Sequence, residues 1–171
     1  MKISMSSASL PVFKTMLSNL GHLLDLAQAH IEAKGIDPSV LPALRLYPDM
    51  LPFTFQVLIA CDAAKLCVAR LSGVDAPKFP DEEKTLVELK ARVQKTLDYL
   101  ATVAPETLDG TDEKMVTFPV GRSATRTLSG HDYLTTWVLP NMYFHITTAY
   151  AILRHNGVVI GKTDYLLGKS S

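Results

Sequence analysis

The chain has 171 residues, of which 47% are hydrophobic and 20% charged, and its 17 lysines and arginines balance 17 aspartates and glutamates. This composition excludes a disordered chain, and the zero net charge leaves no positive field that would hold nucleic acid. A chain of this length buries about 70% of its unfolded surface when it folds, so residues 1–171 are predicted to form one soluble domain.

The sequence also bears on location and partners. It contains no run of 18 apolar residues, and the first ten residues lack the apolar stretch of a signal peptide, so we expect a cytoplasmic protein with no membrane partner. Cys61 and Cys67 lie six residues apart on one predicted helix, too far apart to pair, and are interpreted as reduced core residues. Zero net charge removes repulsion between copies, and a homodimer is expected.

The first half of the chain predicts two helices separated by a proline-rich connection. Apolar residues at helical spacing, with Pro11 near the start and Gly35 after the end, predict a first helix over residues 9–34. Residues 36–52 contain four prolines and predict an irregular segment with room for one short turn. Residues 53–71 are apolar around most of a helix circumference, which is typical of a central second helix.

The third helix has the clearest amphipathic pattern, with apolar residues three and four apart from Leu86 to Leu100. The acidic residues 81–83 are predicted to cap it and to form its first turn, where they suit the helix dipole. Its remaining charges, including Glu88 four residues before Arg92, are interpreted as a solvated face with minor mutual support.

The last third changes periodicity twice. Residues 115–120 and 125–128 are rich in β-branched and aromatic residues and flank Gly121, which predicts a short β-hairpin. Helical spacing returns at Tyr133, and Pro140 either kinks this segment or starts a new helix that ends near Gly157. Residues 158–171 are predicted to be a short extended tail. The predicted fold is therefore mainly α, a four-helix bundle with a short hairpin before the last long helix.

The last long helix carries polar residues within an apolar pattern. Asn141, His145 and Thr148 lie on one stripe at helical spacing and could point together into the bundle as ligand-binding residues. A buried imidazole without a hydrogen-bond partner costs about 1–3 kcal/mol, so His145 needs a partner whatever it does. The simpler interpretation is a core histidine that fixes the register of the helices.

This helix, together with residues 157–166, resembles the signature of a bacterial family known only as a domain of unknown function. The resemblance extends through the first two helices, in segments 19–24, 55–57 and 62–71. That family is similar to the DinB/YfiT-like group of proposed metalloenzymes, which implies a four-helix-bundle fold.

Members of the wider group hold a divalent metal with three histidines, one on the second helix and two at i and i+4 on the last long helix. Only His145 matches this pattern; Ala149 stands four residues later, and Gln56 stands at the second-helix position. Neither replaces an imidazole as a strong transition-metal ligand. No cofactor is predicted, and zinc or nickel at His145 remains the less favoured alternative.

The resemblance brings two further side chains into consideration, since packing as in DinB-like bundles could bring His22 and Asp62 near His145. A carboxylate beside an imidazole fixes its tautomer and raises its pKa, as in general acid and base catalysis. His145 and Asp62 are thus the catalytic candidates, with Gln56 and His22 as further ligand-binding candidates. The alternative is a hydrogen-bond network that only specifies the bundle.

Three functions therefore stay open. The favoured one is a binding domain with a degenerate metal site and a small-molecule pocket near His145. The second is an enzyme, either metal-dependent or using His145 as acid and base, in the thiol-transfer or detoxification chemistry proposed for relatives of the fold. The third is a purely structural oligomerisation module.

Overall fold

The computed structural model describes residues 3–121 and 123–168. Along these residues the elements are α1 (Met5–Lys34), α2 (Val40–Ala43), α3 (Phe53–Ser72), α4 (Leu86–Ala101), a 3-10 turn (Pro105–Thr107), β1 (Met115–Val120), β2 (Ala124–Ser129), α5 (Gly130–Asp132), a π-helical segment (Tyr133–Val138), α6 (Leu139–His155) and α7 (Lys162–Leu167).

Four long helices enclose one hydrophobic core. α3 packs against both α6 and α4, and α1 packs against α4 and the short α7. The strands β1 and β2 form an antiparallel hairpin in which Phe118 pairs with Arg126, and Val116 and Phe118 are buried. The predicted mainly helical fold with a hairpin before the last long helix is confirmed, and the hairpin places Phe118 beside the π-helical segment.

The two cysteines and the length of the helices bear on two further predictions. Cys61 and Cys67 are both free and fully buried, as the sequence predicted. Within the two described ranges, no helix has the length and apolar character needed to cross a membrane.

The first helix begins earlier than predicted, at Met5 rather than residue 9. Ser4 is its N-cap, and Ser4 and Ser7 exchange hydrogen bonds from each backbone amide to the other hydroxyl, at 2.9 and 3.3 Å. These bonds satisfy amides that the helix itself leaves unpaired. Pro11 consequently lies inside the helix, two turns from its start, instead of marking its first turn.

The prediction of an extended tail is wrong over residues 162–167, which form α7. The carboxylate of Asp164 accepts a hydrogen bond from the Gly161 amide at 2.7 Å, and the Asn19 side chain of α1 donates to the carbonyls of Tyr165 and Leu166 at 3.0 and 2.9 Å. Gly168 ends the helix at a positive φ, where an added Cβ would lie 2.5 Å from Asn19 Oδ1. A helix of six residues is too short to show a period, and contacts with α1 stabilise it.

The acidic cap predicted for the third helix is also wrong. Thr85 caps α4 through a reciprocal pair of hydrogen bonds with Glu88, at 3.2 and 2.9 Å. Asp81 and Glu83 instead bind the guanidinium of Arg92, each at 3.1 Å. Arg92 is 1% exposed, so it does not belong to a solvated face.

Pro140 lies in the first turn of α6, directly after the π-helical segment Tyr133–Val138. A proline inside a helix lacks an amide donor and its ring crowds the carbonyl one turn earlier. The wider π turn removes that crowding, so the chain continues as one helical run from α5 to α6. This segment supplies one wall of the candidate site.

Candidate functional site

His145 and Gln56 form a buried hydrogen-bonded pair between α6 and α3. The two atoms His145 Nδ1 and Gln56 Oε1 are 2.7 Å apart, and the side chains are 8% and 1% exposed. The Gln56 amide nitrogen donates to the Leu51 carbonyl at 2.8 Å, which fixes its oxygen as the acceptor for the imidazole. His145 therefore carries its proton on Nδ1 and a lone pair on Nε2.

The imidazole is neutral at physiological pH. Burial lowers the pKa of His145 to about 4, and the Phe144 ring meets the imidazole edge to face with centroids 5.2 Å apart. Because a neutral Gln56 is its partner, no charge compensates for this desolvation. The pair joins the start of α3 to the middle of α6.

The side chains around this pair do not fit the three-imidazole metal site of the wider fold group. Ala149, at the second ligand position of α6, is fully buried and offers no donor atom. Gln56 directs its oxygen at Nδ1 of His145. Nε2 of His145 is therefore the one imidazole nitrogen of this pair that could bind a metal ion. Within residues 3–121 and 123–168 no group of three His, Cys, Asp or Glu side chains is placed to hold a metal ion.

Asp62 does not pair with His145. Its Oδ1 lies 2.7 Å from Lys65 Nζ and 3.2 Å from Arg92 Nη2, and both cations also lie over the ring of Phe79, at 4.7 and 5.2 Å from the centroid. Arg92 additionally donates to the Pro80 carbonyl at 3.1 Å. This cluster fastens the connection before α4 to α3.

His22 likewise lies away from His145. Its Nε2 is 3.3 Å from Asp164 Oδ1, so it joins α1 to α7. The hydrogen bond from the Gly161 amide lowers the pKa of Asp164, and the contact with His22 lowers it to a smaller extent. A hollow of about 340 Å³ between α1 and α4 borders His22, Asn19 and Lys90.

Asn141 and Asp62 border one hollow between α3 and α6, one helical turn from the pair formed by His145 and Gln56. Its volume is about 200 Å³. The residues that line this α3–α6 hollow are Ile59, Asp62, Ala63, Leu66, Arg70, Phe118, Pro119, Tyr133, Trp137, Val138 and Asn141.

Arg70 is the feature of this hollow that the sequence analysis missed. Its Nη1 donates to the Tyr133 hydroxyl at 2.7 Å, and its guanidinium lies 5.9 Å from the ring centroids of both Tyr133 and Phe118. The ring of Phe118 in turn packs at a tilt against the rings of Tyr133 and Trp137, with centroids 4.7 and 5.1 Å apart. An arginine in the apolar last turns of α3 was a usable signal, but its aromatic neighbours come from the distant strand β1 and π-helical segment.

Thr148 faces a different surface from Asn141. Its hydroxyl donates to the Phe144 carbonyl at 2.7 Å, and it borders a shallow apolar depression of about 400 Å³. The residues lining this α6 depression are Leu46, Pro140, Tyr143, Phe144, Thr147, Thr148 and Ala151. The predicted stripe on the last helix thus divides among two surface features and one buried pair.

Comparison with known proteins identifies the family and supports the fold. The family model described as "Domain of unknown function (DUF1993)" matches residues 5–166. Among solved structures, the chain is similar to a DinB family member protein from Shewanella denitrificans, with 40% identity, a TM-score of 0.85, and coverage of 97% of this chain and 93% of that chain. No curated protein matches the sequence.

Proposed function

This chain belongs to the DUF1993 family, and on that premise we propose that it binds a small molecule in the α3–α6 hollow without the three-histidine metal site of DinB/YfiT-like proteins. One observation carries the proposal: the hollow gathers the polar groups of Asp62, Arg70 and Asn141 beside an aromatic wall. Ligand sites are typically concave, largely apolar surfaces with a few placed polar groups.

The size of the hollow favours a small ligand. Its volume of about 200 Å³ lies below the range of about 300–1,000 Å³ that is typical of pockets for drug-sized molecules. Its walls come from α3, the strand β1, the π-helical segment and the start of α6, so a ligand there would contact both halves of the chain.

In this proposal His145 is a positioning residue. Its hydrogen bond to Gln56 holds α3 against α6 at the end of the hollow, one turn from Asn141. The enzyme alternative with an Asp62–His145 pair has less support, because Asp62 is engaged by Lys65 and Arg92.

Metal content separates this proposal from the metalloenzyme alternative. Protein purified without a histidine tag or chelator is analysed by elemental mass spectrometry, next to the His145→Ala variant. We expect far less than one metal ion per chain in both proteins, because the site has only one imidazole ligand where the wider group has three. Near-stoichiometric zinc, nickel or iron that disappears in the variant would establish the metalloenzyme instead.

Ligand binding is tested by screening small fragments with ligand-observed NMR. Asn141→Leu fills the edge of the hollow and is expected to abolish binding of the fragments that the wild type takes. Thr148→Leu, on the same helix but outside the hollow, is the matched control and should leave binding unchanged. Fragments that bind both variants as well as the wild type would contradict the proposal, as would a screen without binders.

We also propose that the protein forms a homodimer through the α6 depression. Leu46, Tyr143 and Phe144 border it and are 41%, 39% and 55% exposed, and an apolar surface of this kind is a typical association site. The chain has no net charge that would repel a second copy. Light scattering after size exclusion should give a dimer that Phe144→Glu converts to a monomer, while Val87→Glu, on exposed α4 surface, has no effect. A monomeric wild type would refute this assembly.

A further inference from the structure

We propose that the ligand of the α3–α6 hollow is a small aromatic monocarboxylate, held by its carboxylate at Arg70 and by its ring at Trp137. This inference rests on the proposed function of the hollow and names the class of its ligand.

The carboxylate is inferred from the unmatched charge of Arg70. A guanidinium has five N–H donors, and Arg70 gives one to the neutral Tyr133 hydroxyl. Across residues 3–121 and 123–168 it forms no ion pair with a carboxylate, although it is partly buried. Two parallel N–H groups of arginine match the two oxygens of a carboxylate, so an anionic ligand would supply the missing partner.

The aromatic ring of the ligand is inferred from the aromatic wall that adjoins Arg70. The π-helical segment has a wider turn, and it brings Tyr133 and Val138, which are five residues apart, to the same hollow. Trp137 lies between them in sequence, half-buried, with Phe118 against its ring at 5.1 Å. Aromatic rings prefer offset or edge-to-face contacts with one another, and this wall offers such contacts to a planar ligand.

The restriction to one carboxylate comes from Asp62. Asp62 lies eight residues before Arg70 on α3, so its backbone is about 12 Å away along the helix axis. Asp62 borders the far end of the hollow, and the ion-pair cluster to which it belongs holds three carboxylates against two cations. A second negative group on the ligand would meet this net negative cluster there and be repelled.

Trp137 makes the test direct, because it is the one tryptophan of the 171-residue sequence. Benzoate, the neutral isostere benzamide, and terephthalate are titrated into the full-length protein while tryptophan fluorescence is followed. Benzoate should change the emission saturably. It should bind about tenfold more tightly than benzamide, which lacks the charge-assisted contact with Arg70. It should also bind about tenfold more tightly than terephthalate, whose second carboxylate would be repelled near Asp62.

Variants test the role of Arg70. Arg70→Gln keeps a hydrogen-bond donor but removes the charge, and should weaken benzoate binding about tenfold while leaving benzamide unchanged. Arg70→Lys should recover part of the loss. Arg154→Gln removes an exposed arginine from the end of α6 and is the matched control, with unchanged binding expected.

The outcomes distinguish the two proposals. If benzoate and benzamide bind equally and Arg70→Gln changes neither, the carboxylate inference fails while the hollow remains a binding site. If neither compound affects Trp137 but other fragments lose binding in Asn141→Leu, the aromatic acid is again wrong and the hollow stands. If no compound or fragment responds to either variant, both proposals fail. Should Arg70→Gln not fold, the ratio of benzoate to benzamide affinity in the wild type decides.

Discussion

Two arginines on neighbouring helices occupy opposite situations. Arg92 on α4 is 1% exposed and lies within 3.2 Å of three carboxylates, those of Asp62, Asp81 and Glu83. Arg70 on α3 lies at a hollow, and its one hydrogen bond within the described residues goes to a neutral hydroxyl. A guanidinium whose charge is matched inside the protein stabilises the fold, whereas one without a counter-charge is available to a ligand.

Removal of Arg92 should therefore give the largest loss of stability. Arg92→Met keeps the aliphatic bulk but leaves Asp81 and Glu83 without their cation and Asp62 with Lys65 alone. Removing one partner of a buried ion pair costs about 3–5 kcal/mol, and we expect the lower end because Asp81 and Asp62 are 48% and 32% exposed at their side chains. Urea unfolding followed by circular dichroism measures the difference.

Arg70→Met is the control for that experiment. It leaves only the hydroxyl of the buried Tyr133 without its partner, so the free energy of unfolding should fall by about 1–2 kcal/mol, less than for Arg92→Met. Equal losses from the two substitutions would remove the distinction between a structural and a ligand-binding arginine.

The buried pair of His145 and Gln56 predicts how stability changes with pH. The pKa of His145 is about 4 in the folded protein, below its ordinary value of 6.5. The unfolded chain therefore takes up a proton first as pH falls, so this contribution is complete above pH 6.5 and is lost as pH falls towards 4. A tenfold change in proton affinity corresponds to 1.36 kcal/mol, so the free energy of unfolding falls by an amount on the order of 3 kcal/mol.

His145→Leu, which cannot titrate, should lack this part of the pH dependence in urea unfolding at pH 4 to 7. Gln56→Glu sharpens the test, because a carboxylate at Nδ1 favours the charged imidazole. NMR titration of that variant should give a higher pKa for His145 than in the wild type. Parallel stability curves for wild type and His145→Leu would show that the imidazole is not desolvated.

The smallest expected effects separate the true cap of α4 from the predicted one. Thr85→Ala removes the hydroxyl that accepts from the Glu88 amide and should cost about 1 kcal/mol. Asp81→Ala removes one half-exposed ion pair and should cost about 0.5 kcal/mol. Thermal unfolding orders the two, and the reverse order would favour Asp81 as the cap.

Local patterns were sufficient for much of the fold. The predicted second helix matches α3 at its start and ends one residue early, and the predicted first strand has the same two ends as β1. Apolar periodicity and glycines mark such elements locally. The start of α1 was missed because Pro11 is a weaker signal than the reciprocal bonds of Ser4 and Ser7. The helix α7 was missed because contacts with Asn19 of α1 stabilise it.

The candidate site was less accessible to such reasoning. The sequence identified His145 and Gln56, and the structure places them in contact. It could not decide where Asp62 points, because the two cations that bind its carboxylate come from different elements, Lys65 from the next turn of α3 and Arg92 from α4. Arg70 had no identifiable role before the hairpin placed Phe118 beside it.

The sequence by itself thus determined a mainly helical fold with a hairpin before its last long helix, because helical and strand periodicity are properties of neighbouring residues. Only the tertiary structure decided which charges are matched. Arg92 binds its carboxylates, whereas Arg70 binds none among the described residues. Both outcomes depend on packing between elements that are up to about 60 residues apart in the chain. Over such a separation the order of residues carries no geometric information.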